Sequence, residues 1–246
     1  IDVDRLEDDE QRRHETHHLI EQLLSVTSQD YSHSLFSEPQ VSSKLAETLH
    51  DATSLGMSQL ALCLTDSVTR ACDALGPHHP DTLTSRNSLA GSYRDAGRLE
   101  EAIPLFEQNL ADVARIMGPN HPHTLTARNQ LAGAYRDAGR LDEAITLFER
   151  NLDDVARVMG PHHPETLASR FDLAGAYRAS GRLEEAIALY EQVFSGRSRV
   201  LVPDDRSTLT AHDHLADTYW EAGRFDEAIT LKKQILDDAL RIMGAD

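Results

Sequence analysis

A repeat 42 residues long runs through most of the chain. Residues 76–117, 118–159 and 160–201 align without a gap, and 21 of the 42 aligned positions hold the same residue in all three repeats. A fourth repeat, residues 202–243, keeps the length, although Arg206 replaces the proline that the others carry at this position. Tandem repeats of this length bury their apolar faces against one another, so we expect a stacked array.

Each repeat has the apolar spacing of two consecutive helices. In the second repeat Gly139 separates the two stripes and provides the positive φ angle that ends a helix. The first stripe is Leu125, Leu131, Ala132, Tyr135 and Ala138, and the second is Leu141, Ala144, Ile145, Phe148, Leu152, Val155, Ala156 and Met159. The sequence therefore predicts an all-α fold, an α-solenoid of stacked helical hairpins.

The boundaries between repeats carry further helix signals. A Gly-Pro pair ends the second helix, and threonine is placed to help cap the next first helix, at Thr82, Thr124 and Thr166. A histidine recurs before proline in the same loop, at His79, His121 and His163. Because the position repeats, we expect these histidines to shape the turn by hydrogen bonding and not to catalyse a reaction.

Composition excludes several function classes. The chain has 246 residues with 24 Lys and Arg against 41 Asp and Glu, a formal charge of −17 that opposes nucleic acid and anionic membranes as partners. No stretch approaches the ~18 apolar residues of a membrane span. Cys63 and Cys72 lack zinc-ligand spacing, and we expect small core residues in a reducing, cytoplasmic compartment.

The flanking segments complete the predicted organisation. Residues 1–27 form a charged helix, 28–40 a serine-rich linker and 41–75 a degenerate helical hairpin. The regular repeats follow at 76–117, 118–159, 160–201 and 202–243, and residues 244–246 restart the pattern. We expect the natural protein to continue in both directions.

The run Leu131, Ala132, Tyr135, Gly139, Ala144 and Phe148 resembles the tetratricopeptide repeat (TPR), and the Gly-Pro-x-His-Pro-x-Thr-Leu entry resembles the kinesin light chain type. This resemblance implies a right-handed superhelix whose first helices line a concave groove for a peptide or a partner helix. Arginine outnumbers lysine 21 to 3, which favours a GC-rich bacterial source. Bacterial repeats of this type resemble the sensor arrays of NTPase-linked signalling proteins.

The resemblance also implies which side chains line the groove. They are Asn87, Gly91, Arg94 and Asp95, then Asn129, Gly133, Arg136 and Asp137, then Phe171, Gly175 and Arg178, and finally Asp213, Asp217, Trp220 and Glu221. Glycine at the middle position allows close backbone approach, and the repeated arginines can grip carboxylates of an extended ligand. Alternatively, the arginines pair only with neighbouring acids. Trp220 favours an exposed binding role, and the three terminal acids make one groove end negative.

Chemical motifs point away from an enzyme. His14, His17 and His18 share helical spacing, but HETHH is not the HExxH arrangement of zinc proteases, so we predict no metal site and no cofactor. Phosphate-binding loops and nucleophile elbows are absent from the sequence. We therefore predict a non-enzymatic scaffold that binds a protein or peptide, with a self-associating structural module and a metal-dependent activity as alternatives.

Overall fold

The computed structural model describes residues 3–27, 39–200 and 206–243, and within these ranges the chain is helical without strands. The helices are α1 Val3–Thr27, α2 Pro39–Ser54, α3 Ser58–Ala61, α4 Thr65–Leu75, α5 Pro80–Asp95, α6 Leu99–Met117, α7 Pro122–Asp137, α8 Leu141–Met159, α9 Pro164–Ala179, α10 Leu183–Val200, α11 Arg206–Glu221 and α12 Phe225–Met243. The predicted all-α architecture of helical hairpins is confirmed. No described helix is both long and apolar enough to cross a membrane.

The chain forms two compact units, an N-terminal unit Ile1–Ala134 and a C-terminal unit Tyr135–Asp246. In the N-terminal unit α1 packs against α2, α2 against α5, and α5 against α6. In the C-terminal unit each helix from α8 to α12 packs against the next one in the chain. Contacts between consecutive helices therefore build the core of the C-terminal unit, while the N-terminal unit also relies on the packing of α2 against α5.

A glycine with positive φ ends the first helix of each hairpin, as the sequence predicts. Gly139, at φ +73°, is one example. The next residue, Arg140, lies over the Tyr135 ring at 4.1 Å and donates from Nε to Glu143 at 2.8 Å. Arg98, Arg182 and Arg224 make the same two contacts in their own hairpins. This arginine clamp across the turn is a feature that the sequence analysis did not identify.

The loop histidines cap the first helices. The Nδ1 atom of His79 accepts from the Asp81 amide and that of His163 accepts from the Glu165 amide, each at 3.2 Å. The threonines do not cap these helices, because they lie inside the first turn, beyond the cap position. Instead Thr124 and Thr166 donate at 2.7 Å to the carbonyls of Gly118 and Gly160, which end the preceding helices.

The N-terminal segments differ in detail from the sequence predictions. Helix α2 begins at Pro39, inside the predicted linker 28–40, whose other residues fall almost entirely outside the described part of the chain. The second arm of the hairpin predicted for 41–75 is interrupted by a 3₁₀ turn at Leu62–Leu64. Cys63 in that turn is exposed, so the expectation that it is a core residue is wrong. The predicted segment 244–246 lies outside the described residues.

The exposure of one isoleucine position shows how far each hairpin is buried by the next one. Ile103, Ile145 and Ile187 occupy equivalent positions in successive repeats and are at most 8% exposed, whereas Ile229 is 45% exposed. Helix α10, which carries Ile187, packs against both α9 and α11, while α12 packs against α11. The burial of this position thus depends on a helix from the following hairpin.

This difference predicts unequal effects of one substitution. Ile187→Ala should lower the free energy of unfolding by about 2–5 kcal/mol, because it leaves a cavity between packed helices. Ile229→Ala, the matched control, should lower it by less than about 1 kcal/mol because its side chain is half exposed. Urea unfolding followed by circular dichroism measures both values. Equal losses for the two variants would contradict the packing described here.

Three buried tyrosines make the stability of the fold depend on pH in the alkaline range. Burial raises the pKa values of Tyr177 and Tyr219 to about 12, and the hydrogen bonds that their hydroxyls donate to Glu149 and Glu191 at 2.6 Å add to this effect. Burial also raises the pKa of Tyr190 to about 12. Because the pKa rises from 10 on folding, the associated stability is fully present below pH 10 and is lost as pH rises through about 12.

We therefore expect Tyr177 to stay protonated when an ordinary tyrosine has ionised. The near-ultraviolet absorbance of tyrosinate, compared between the unmodified chain and Tyr177→Phe during a pH titration, isolates this one group. The difference should develop near pH 12 and coincide with loss of helicity. A difference that develops near pH 10, with helicity unchanged, would show that Tyr177 is not buried as described.

Candidate functional site

The predicted binding residues all lie on the first helices of the hairpins. They are Asn87, Arg94 and Asp95 on α5, Asn129, Arg136 and Asp137 on α7, Phe171 and Arg178 on α9, and Asp213, Asp217 and Trp220 on α11. The arginines stand three residues before the turn glycine. They therefore occupy helix C-termini, where the helix dipole favours positive charge.

In the N-terminal unit, Arg94 extends from α5 across a glycine of α7. Its Nη1 atom lies 3.4 Å from the position that a Cβ atom on Gly133 would take, and its Nη2 atom lies 3.8 Å from Asp95 Oδ1. The space above Gly133 was expected to admit a ligand backbone. The guanidinium group of Arg94 uses that space, so the glycine accommodates an arginine of the neighbouring hairpin.

A cavity of about 320 Å³ lies beside Asn87 in the same unit, between α5, α6 and α7. Leu83 and Val113 contribute apolar surface, and Asn109 donates from Nδ2 to Asn87 Oδ1 at 3.4 Å. Asn109 is 4% exposed, and its Oδ1 atom has no hydrogen-bond partner among the residues that the structure describes. Sequence analysis did not predict Asn109 as a site residue, because it belongs to the second helix.

In the C-terminal unit, Arg136 is partly exposed and bonded to its own neighbour. Its Nε and Nη2 atoms donate to the single oxygen Oδ1 of Asp137 at 3.3 and 3.1 Å. Its Nη1 atom lies 3.7 Å from the Cβ position of Gly175 on α9. The guanidinium group therefore reaches over the next first helix, with one edge bonded to Asp137.

Arg178 occupies the same position one repeat later but has a different partner. Its Nε and Nη2 atoms donate to the two carboxylate oxygens of Glu221 at 3.0 and 2.7 Å, and its Nη1 atom lies 3.4 Å from His214 Nδ1. These bonds lower the pKa of Glu221 and raise that of Arg178. Two-point pairing of this kind is the strong form of an arginine–carboxylate contact.

Phe171 belongs to an aromatic cluster. Its ring meets those of Tyr190 and His214 edge-on at 5.4 and 5.0 Å. Burial, with a smaller contribution from Arg178, lowers the pKa of His214 and so favours its neutral form. Phe171 is half-buried and packs between hairpins of the C-terminal unit.

The predicted acidic end of the groove is paired with a lysine. Lys232 of α12 contacts Asp213 and Asp217 at 2.5 and 2.8 Å, which reduces the negative charge expected there. Trp220 is 58% exposed and meets the Phe225 ring at 4.8 Å. It lines a cleft of about 520 Å³ together with Ala216, Asp217, Ala228, Ile229, Lys232, Lys233 and Leu236.

The histidines of α1 make ordinary helix contacts. His17 Nε2 lies 3.4 Å from Glu21 and His18 Nε2 lies 3.0 Å from Gln22. Within the described ranges, no group of three or more His, Cys, Asp or Glu side chains is arranged to hold a metal ion.

Comparisons with known proteins agree with the repeat architecture. The tetratricopeptide repeat family model matches residues 81–150, 124–199 and 173–241. The chain is 32% identical to the nearly identical kinesin light chain TPR-like repeats of Podosopora anserina, over 80% of this chain and 94% of that chain, with a TM-score of 0.69. A search of curated proteins gave no significant match.

Two further solved structures are similar in fold. BtubC (BKLC) from P. vanneervenii is 17% identical over 96% of this chain and 92% of that chain, with a TM-score of 0.72. A Rap protein complexed with Competence and Sporulation Factor is 14% identical over 88% of this chain and 57% of that chain, with a TM-score of 0.62. TPR arrays generally bind protein or peptide partners as non-enzymatic scaffolds. From the repeat matches and the 32% identity, the chain belongs to the tetratricopeptide repeat family, with repeats of the kinesin light chain type.

Proposed function

We propose that this scaffold binds an extended peptide with acidic groups along the first helices of its C-terminal unit, with Arg136 as the principal contact. The observation that carries the proposal is the placement of Arg136. Its guanidinium group is partly exposed and reaches over Gly175, and the hydrogen bonds that the structure describes for it both go to one carboxylate oxygen, Oδ1 of Asp137. A ligand carboxylate can replace or share that bond.

The overall charge of −17 does not prevent such recognition. Screening limits the repulsion from distant acids, because the Debye length is about 8 Å at physiological salt. Groups within a few ångströms of the ligand therefore dominate. Within the N-terminal unit, the amide side chains of Asn87 and Asn109 beside its cavity support a separate contact with a peptide backbone, since amides both donate and accept hydrogen bonds.

Two other observations bear on this proposal. A Rap protein of similar fold is complexed with Competence and Sporulation Factor, which supports ligand binding by such an array. Cys63 and Cys72 are free thiols, which supports placement in a reducing compartment such as the bacterial cytoplasm. We extend the proposal to partner recognition in signalling, which follows from the resemblance to the sensor arrays of NTPase-linked signalling proteins.

The test is a selection from a display library of random linear peptides on the immobilised chain. We expect enrichment of peptides with two or more acidic residues, and Arg136→Glu should weaken their binding at least tenfold because it replaces attraction by repulsion. Arg150→Glu, at an exposed position of α8, makes the same charge change in the same repeat and should retain binding. Circular dichroism checks that both variants fold.

Two outcomes would contradict the proposal. One is enrichment of peptides without acidic residues. The other is equal loss of binding in Arg136→Glu and Arg150→Glu, because net charge alone would then explain the effect.

A second candidate function is self-association, favoured by one apolar face. Trp220, Phe225, Ile229 and Leu236 are between 45% and 58% exposed and lie on α11, the following turn and α12. Exposed large apolar side chains grouped in this way are typical of interaction surfaces. A second copy of the chain could cover them.

Sedimentation at several concentrations tests this second function. If self-association occurs through this face, the average mass should rise with concentration and return to that of a monomer in Ile229→Asp. Ile116→Asp, another exposed isoleucine of a second helix, is the control and should leave the mass unchanged. A monomer at all concentrations would exclude the self-associating module.

A further inference from the structure

We propose that the residue at position 179, and its counterpart at position 221, determines which arginine of the row is presented to an acidic ligand. The inference rests on the proposed function for its ligand, but its structural part can be tested without one. Residues 179 and 221 are equivalent and stand one repeat apart, on α9 and α11. Position 179 holds alanine and position 221 holds glutamate.

The last pair of hairpins shows what glutamate does at this position. Arg178 reaches from α9 to α11, where both oxygens of Glu221 accept from it at 3.0 and 2.7 Å. Asp217, one turn earlier on α11, lies 4.0 Å from the same guanidinium group. Arg178 is thereby held within the protein, and only 24% of its side chain is exposed.

Arg136 also reaches across the next first helix, but that helix has no glutamate at the position equivalent to Glu221. Its guanidinium group lies over Gly175, which is equivalent to Asp217 in the next repeat. Ala179 occupies the position equivalent to Glu221, the partner of Arg178. Its carboxylate contact with Asp137 involves one oxygen of an adjacent residue, not two oxygens from the next first helix. The Nη1 side of the Arg136 guanidinium group, which lies over α9, therefore stays open to the carboxylate of a ligand.

The sequence thus contains both side chains at this one position of the repeat, alanine at 179 and glutamate at 221. Alanine at the position leaves the preceding arginine for an external carboxylate, and glutamate supplies an internal carboxylate that occupies it. Because Ala179 is exposed at the end of α9, a longer side chain fits there without disturbing the core. One substitution should therefore exchange one arrangement for the other.

The experiment measures arginine modification by phenylglyoxal in the full chain, with peptide mass spectrometry reading each site. In the unmodified sequence Arg136 should react faster than Arg178, because its side chain is more exposed (34% against 24%) and is held by one carboxylate oxygen of Asp137 instead of two of Glu221. Ala179→Glu should slow the labelling of Arg136 about two- to fivefold, as expected for a surface ion pair. Glu221→Gln should accelerate the labelling of Arg178 by a similar factor.

Ala179→Gln is the matched control, since it adds nearly the same side chain without the charge. It should leave the labelling of Arg136 unchanged, and thermal unfolding should confirm that all variants fold. Equal labelling of Arg136 in the Ala179→Glu and Ala179→Gln variants would overturn the inference. So would unchanged labelling of Arg178 in Glu221→Gln.

A fluorescent octaglutamate peptide then separates this inference from the proposed function. Its affinity should fall in Ala179→Glu and rise in Glu221→Gln, following the labelling rates. If the labelling rates change as expected but no variant binds octaglutamate, the control of arginine access stands and the acidic ligand is wrong. If octaglutamate binds with the same affinity in every variant while labelling is also unchanged, position 179 has no role.

Discussion

The structure depends on the burial of one hairpin's apolar face by a helix of the next hairpin. Ile103, Ile145 and Ile187 are buried at the same position of successive repeats, and Ile229 at that position is half exposed. Burial of an aliphatic side chain is worth about 1.5–3 kcal/mol. A 42-residue hairpin alone has few such side chains, so its stability belongs to the array and not to the repeat.

The same neighbour relation organises the candidate site. Each arginine near the end of a first helix extends across the first helix that follows, and its surroundings are set by residues about one repeat away. Glycine at positions 133 and 175 gives the guanidinium group room, whereas Asp217 and Glu221 provide it with acids. The repeat backbone therefore keeps the position of each arginine constant, while substitutions on the next helix change its availability.

Sequence reasoning predicted the fold well because its signals are local. The 42-residue period, the helical spacing and the turn glycines each act within a few residues, and the positive φ angle of Gly139 follows directly. The arginine clamp over Tyr135 was missed although Arg140 and Glu143 have a helical spacing that could have indicated it. The threonines were assigned to the wrong helix end because sequence spacing does not show which atom points towards a free carbonyl.

The site was less accessible to sequence reasoning for a physical reason. Arg178 bonds to Glu221, 43 residues away, whereas Arg136 lies over Gly175, 39 residues away, and bonds to the adjacent Asp137. The repeat period alone does not distinguish these two arrangements.

The measurement that tests the central claim most directly is the helicity of an isolated peptide comprising residues 118–159, compared with the same segment in the full chain. The account predicts that the isolated hairpin is largely unfolded in water. A cooperative unfolding transition of the peptide at the temperature of the full chain would contradict it.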